Sequence, residues 1–146
     1  MADTSADEIF LREIERATIG RRARAKWLEI ARPDQITPMG DWEVWLILAG
    51  RGWGKTRTGA EDITHFAISN PGVRIALVGP TDDDVRKVMI EGRSGLVNIG
   101  DPATRPTYEP SKDLVTWPNG SMGFCYSAEE PERLRGPEHH RAWCDE

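Results

Sequence analysis

Lys55 and Thr56 stand side by side after three glycines at alternate positions, Gly50, Gly52 and Gly54. Glycine lets the backbone curl so that several N–H groups point inward at one anion. A lysine beside such a loop reaches phosphate oxygens, and a threonine hydroxyl next to it ligates Mg²⁺. The apolar run Val44-Trp45-Leu46-Ile47-Leu48 precedes the loop and a helix-like segment follows it. Strand, glycine turn and helix in that order make a phosphate-binding P-loop, with the positive end of the helix dipole aimed at the anion. The motif spans Ala49-Gly50-Arg51-Gly52-Trp53-Gly54-Lys55-Thr56. Its first position carries Ala49 where the common pattern has glycine, and Gly50 and Gly52 supply the freedom instead. Lys55 is expected on the β- and γ-phosphates of ATP and Thr56 on Mg²⁺.

A second constellation closes the sequence. Arg141-Ala142-Trp143-Cys144-Asp145-Glu146 reads as a short strand ending in two acids. Downstream of a P-loop this is a Walker B candidate: Asp145 would hold the Mg²⁺ shell, and Glu146 would orient and deprotonate the attacking water.

The elements that must position these residues follow from periodicity. Residues 4–31 carry Ile9, Phe10, Ile14, Ala17, Trp27, Leu28 and Ala31 at helical spacing, with an interruption expected at Gly20 and a stop at Pro33. The basic cluster Arg21 to Lys26 reads chiefly as a solvated helix face, with contact to DNA phosphate or to a neighbouring subunit as the alternative. A first strand is expected over Val44–Ala49 and a helix over Lys55–Ser69, with Ala60, Ile63, Phe66 and Ala67 inward, ended by Asn70-Pro71-Gly72. Val73–Val78 is apolar apart from Arg74, as for a parallel strand covered on both faces. Thr81 and Asp84 form a capping-box variant before a helix with Val85, Val88 and Met89 inward. A hairpin pairs Asp113–Thr116 with Ser121–Tyr126 across Trp117-Pro118-Asn119-Gly120. Gly92–Pro110 reads as the loosest stretch.

Several segments in order resemble the large terminase subunits, the ATPase motors that package DNA into tailed-phage heads and into related gene transfer agents. They are Gly50 to Glu61, Ile75 to Thr81, Val88 to Gly92, Trp117-Pro118-Asn119-Gly120, Ser127 to Pro131, Leu134-Arg135-Gly136-Pro137 and Ala142 to Glu146. The resemblance runs from about Trp27 to Glu146. It implies an ATP- and Mg²⁺-dependent motor acting on double-stranded DNA, with a portal protein and a small terminase subunit as partners. It further implies a homo-oligomeric ring when assembled, in the cytoplasm of a bacterial host and transiently at the procapsid portal. It implies a role for Arg51 in hydrolysis, as a sensor of the γ-phosphate or a finger on the transition state; a solvent-facing loop cation that only raises nucleotide affinity is the equal alternative. Gln35 is the candidate adenine contact, since its amide donates and accepts at once; a plain loop amide is the equal alternative. Family members continue into further ATPase strands and a nuclease domain, so the chain is expected to be a truncated product, a split gene product or a fragment.

The expected fold class is α/β: a P-loop NTPase core with a mainly parallel sheet, incomplete at the C-terminus. Residues 1–40 form an N-terminal helical segment and adenine-side loop, and 41–146 a partial ATPase core. With 19 basic and 24 acidic residues among 146, the net charge of −5 does not suit a bulk polyanion binder. Cys125 and Cys144 make neither a disulfide framework nor a zinc pattern, and Cys144 is expected to be an inert core thiol. His139 and His140 lack metal-ligand partners at useful spacing and read as surface loop residues. No signal peptide or membrane span is visible. Two other readings stay open: a different P-loop motor such as a helicase, and a fragment that binds nucleotide or a partner without turnover.

Overall fold

The computed structural model describes residues 5–146. The start of the first helix, expected at Thr4, lies outside them. Helix α1, Ala6–Ile30, begins with the Ser5 side chain accepting from the Glu8 amide and ends before Pro33. It passes through Gly20 without the expected interruption. Gly20 is buried, and a Cβ added there would meet Ile68 of the next helix at 2.6 Å. The glycine therefore lets two helices touch rather than breaking one. Trp27 is the other buried residue of α1, with the Arg57 guanidinium 5.2 Å over its ring. Ile9, Phe10, Ile14 and Leu28 remain exposed.

Helix α2, Lys55–Ser69, has the expected bounds. Ala60, Ile63 and Ala67 are buried in the main core, with Phe66 half-buried against it. The strands are β1 Arg74–Gly79, β2 Thr107–Glu109, β3 Leu114–Thr116, β4 Met122–Ser127 and β5 Arg141–Cys144. They form one sheet in the order β2-β3-β4-β1-β5. β1 runs parallel to β4 and β5, whereas β2–β3 and β3–β4 are antiparallel. The sheet is thus mixed, not mainly parallel: the expected hairpin supplies one antiparallel pair, and β2 adds another at the edge. β2 belongs to the stretch expected to be loosest, yet Leu96, Ile99 and Thr104 from that stretch are buried.

After β1, a single α turn, Asp82–Asp84, widens into a π-helical segment, Val85–Ile90, whose exit is marked by the Glu91 amide donating to the Arg86 carbonyl five residues back. Val85, Met89 and Ile90 point into the core, while Val88 is exposed. The Thr81 hydroxyl accepts from the Asp84 amide, as a cap should, and donates to the Asp84 carboxylate.

The expected first strand does not join the sheet. Trp45, Ile47 and Ala49 are half-buried while Val44, Leu46 and Leu48 are exposed, the alternation of a strand covered on one face. It carries no strand pairing, and a groove of about 760 Å³ is lined by residues 42–48 on one side and 140–146 on the other. The thiols also depart from expectation. Cys144 is exposed on β5, and the core thiol is Cys125, which burial pushes up to about 12. His139 is half-buried with its Nε2 2.9 Å from the Tyr126 hydroxyl, and His140 Nδ1 accepts from the Arg74 amide.

Candidate nucleotide and metal site

The loop before α2 turns on positive φ angles at Gly52 (81°) and Gly54 (95°), which side-chain-bearing residues rarely adopt. Gly54 is the N-cap of α2, so the free amides of the first helical turn open toward the loop. Lys55 folds back, its Nζ donating to the carbonyls of Ala49 at 2.7 Å and Gly50 at 3.2 Å. Arg51 is exposed within the same loop.

Gln35 is buried behind the loop rather than displayed in front of it. Its Oε1 accepts from the Arg32 amide at 2.9 Å, and its Nε2 donates to the Trp53 carbonyl at 3.2 Å. The Arg32 guanidinium donates to the same carbonyl and lies 5.1 Å over the Trp53 ring. A Cβ on Gly54 would stand 2.8 Å from the Gln35 amide nitrogen, so the brace also requires glycine at that position.

Thr56 and Asp145 are 89 residues apart in sequence and meet in space: the threonine hydroxyl donates to an Asp145 carboxylate oxygen at 3.2 Å. The approach is built by β5. Its ladder with the inner neighbour β1 continues beyond Cys144, with the Asp145 amide donating to the Val78 carbonyl at 3.0 Å. Burial pushes the Asp145 carboxyl above the ordinary aspartate range; the Thr56 hydrogen bond and Lys55 oppose the shift, and Glu146 and Asp84 add to it. An alcohol oxygen and a carboxylate held together by a half-buried, electron-rich pocket form a donor set suited to a hard cation such as Mg²⁺. Glu146, next to Asp145, is exposed and has a left-handed φ of 63°.

Residues that periodicity did not single out complete the surroundings. Asp62 of α2 receives the Arg141 guanidinium and the Thr37 hydroxyl, and Arg24 of α1 donates to Thr37 and to the Glu61 carbonyl. The inward turn of Arg24 takes one residue out of the basic cluster expected to be solvated. Trp143 packs flat against Gly59, where an added Cβ would overlap the indole. The sequence signal for these was the alternation Arg141, Trp143, Asp145, which puts all three on one face of a strand.

A mixed five-stranded α/β domain with a carboxylate delivered to a glycine-capped helix start defines the class. The chain belongs to the large terminase subunits: the family model for the T4-like-virus-type terminase large subunit, N-terminal part, matches residues 46–146. Among solved structures it is similar to the large terminase ATPase domain of Thermus phage P74-26, with a TM-score of 0.51 and 20% identity over 66% of this chain. The chain spans 45% of the length of that domain. No curated protein sequence matches it.

Proposed function

We propose that the chain is the nucleotide-handling part of a P-loop ATPase that drives packaging of double-stranded DNA into a viral procapsid. The observation that carries this reading is the Thr56–Asp145 contact. It joins the two halves of a Mg-nucleotide site across most of the sequence, within a chain of terminase membership. Residues 41–146 hold the site, and residues 1–40 brace it through Gln35 and Arg24. Portal and small terminase subunit are the partners that family role suggests, in a ring of copies within the bacterial host. Among the described residues no helix is long and apolar enough to cross a membrane.

In this reading the loop amides of residues 50–54 and the Lys55 ammonium bind the β- and γ-phosphates of ATP. Thr56 and Asp145 would hold Mg²⁺, which would supply positive charge against the phosphate oxygens. Glu146, one residue further and turned off the strand, receives the proton of the attacking water. Arg51, exposed in the loop, swings onto the γ-phosphate and offsets its developing charge. Gln35 sets the position of the Trp53 carbonyl, and its remaining N–H is the group available to adenine.

Paired substitutions test these roles. Asp145→Asn abolishes the Mg²⁺ dependence of nucleotide binding, measured by calorimetry with and without EDTA. Glu146→Gln keeps Mg-ATP binding and slows hydrolysis at least ~10²-fold, the scale of a lost general base. The pH dependence follows from the raised Asp145 carboxyl. The folded state holds that proton more tightly than the unfolded one, so its contribution to stability is present at low pH and is lost as pH rises through the folded value. Mg²⁺ binding needs the ionised form and weakens in the opposite direction, at a pH above that of an ordinary aspartate. Mg²⁺ affinity that stayed constant down to the ordinary aspartate range would contradict this.

A further inference from the structure

Asp62 and Arg141 form a half-buried ion pair between α2 and β5. Arg141 Nη1 lies 3.1 Å and 3.2 Å from the two Asp62 carboxylate oxygens. The guanidinium is held between two rings, 4.2 Å from Phe66 and 5.1 Å from Trp42. Asp62 is 8% exposed and also accepts from Thr37 at 2.7 Å. An isolated charge pair of this kind gains little net stability, because desolvation offsets attraction. Its geometry has a different consequence.

Residues 141, 143 and 145 lie on one face of β5 and its continuation, since strand side chains alternate. Residues 56, 59 and 62 lie on one stripe of α2, since positions three apart share a helix face. The two rows meet rung by rung: Arg141 on Asp62, Trp143 on Gly59, Asp145 on Thr56. The middle rung is apolar and fixes distance without fixing register, because a flat indole on a glycine slides easily. The Asp62–Arg141 rung is directional, one guanidinium nitrogen donating to both carboxylate oxygens. A one-residue slip of β5 would turn the side chain at the Asp145 position to the opposite face of the sheet.

We infer that Asp62 and Arg141 are a positioning pair whose role is to lock the register of β5 against α2, and thereby to hold the Asp145 carboxylate at the Thr56 hydroxyl in the geometry that Mg²⁺ requires. The inference rests on the proposed nucleotide site and adds to it two residues that touch neither nucleotide nor metal. The phosphate loop lies on the far side of Thr56 from this pair, so nucleotide binding without metal is independent of it.

The test is the affinity of the chain for ADP in EDTA and in saturating Mg²⁺, read by calorimetry for the wild type, Arg141→Gln, Arg141→Lys, Asp62→Asn and the double variant Asp62→Asn with Arg141→Gln. Loss of groups that orient a metal ligand typically costs ~10–100-fold in metal affinity. The ratio of the two affinities is expected to fall by about that factor in Arg141→Gln and Asp62→Asn, while the affinity in EDTA changes less than ~2-fold. Arg141→Lys keeps the charge but loses the fork and the stacking, and falls with them. The double variant restores part of the ratio, because two amides re-form a neutral hydrogen-bonded rung. Asp62→Asn retains the shape of the side chain and its Thr37 bond, and keeps the test open if the Arg141 variants unfold. Folded variants with a wild-type ratio would overturn the inference alone. Equal losses in EDTA and in Mg²⁺ would overturn it too, by showing general damage to the site. A wild-type chain that bound no ADP in either condition would overturn the nucleotide reading and the inference with it.

Discussion

Lys55→Ala weakens nucleotide binding ~10²-fold and leaves the fold intact. The Lys55 ammonium contacts only the carbonyls of its own loop, Ala49 and Gly50, and contributes nothing to the core cluster. Alanine is a good helix former at the start of α2, so stability should change by about 0.5 kcal/mol or less. A charge-assisted bond to phosphate is worth about 1.5–3 kcal/mol, and the lysine makes more than one, so the dissociation constant for ATP should rise ~10²-fold. Calorimetry gives the affinity and far-ultraviolet circular dichroism the fold. Equal affinities in the two proteins would remove the P-loop from the account.

Trp143→Ala has the opposite profile, a large loss of stability with the loop untouched. Trp143 is 8% exposed, belongs to the core cluster and fills the space above Gly59. Truncating a buried tryptophan costs about 3–5 kcal/mol through lost transfer energy and the cavity left behind. A domain of this kind has about 5–15 kcal/mol in total, so the variant sits near the edge of folding. Urea unfolding followed by circular dichroism measures the loss. A change below about 1 kcal/mol would show that β5 is not anchored on α2 through this residue.

The parts of the fold legible in sequence were those with a strong local period. α2 ran from Lys55 to Ser69 as its spacing implied, and the hairpin of β3 and β4 formed across Trp117-Pro118-Asn119-Gly120. Long-range contacts decided the rest. Gly20 reads as a break because glycine is a poor helix former, yet its missing side chain is what admits Ile68. Residues 44–49 have the alternation of a strand, but a strand exists only with a partner, and they carry no strand pairing. β2 has three residues, too few for a period to show. The order of two parallel and two antiparallel pairings depends on how far the hairpin folds back, which spacing does not report.

The candidate site divides in the same way. Lys55, Thr56, Asp145 and the glycines of the loop were legible because a contiguous motif carries their chemistry. Gln35 was visible as a polar residue in the right segment, but its burial behind Trp53 depends on the loop folding over it. Asp62 and Arg141 were not legible as partners. They are 79 residues apart, and each alone has the look of an ordinary surface charge.

Mg-nucleotide is expected to bind between the start of α2 and the end of β5. Mn²⁺ substitutes for Mg²⁺ and broadens the magnetic resonance signals of nearby nuclei. Titrating Mn²⁺ with ADP into the isotope-labelled chain should selectively broaden the amide signals of Lys55, Thr56, Asp145 and Glu146, and leave those of β2 and β3 sharp. Broadening centred anywhere else, or none at saturating nucleotide, would contradict it.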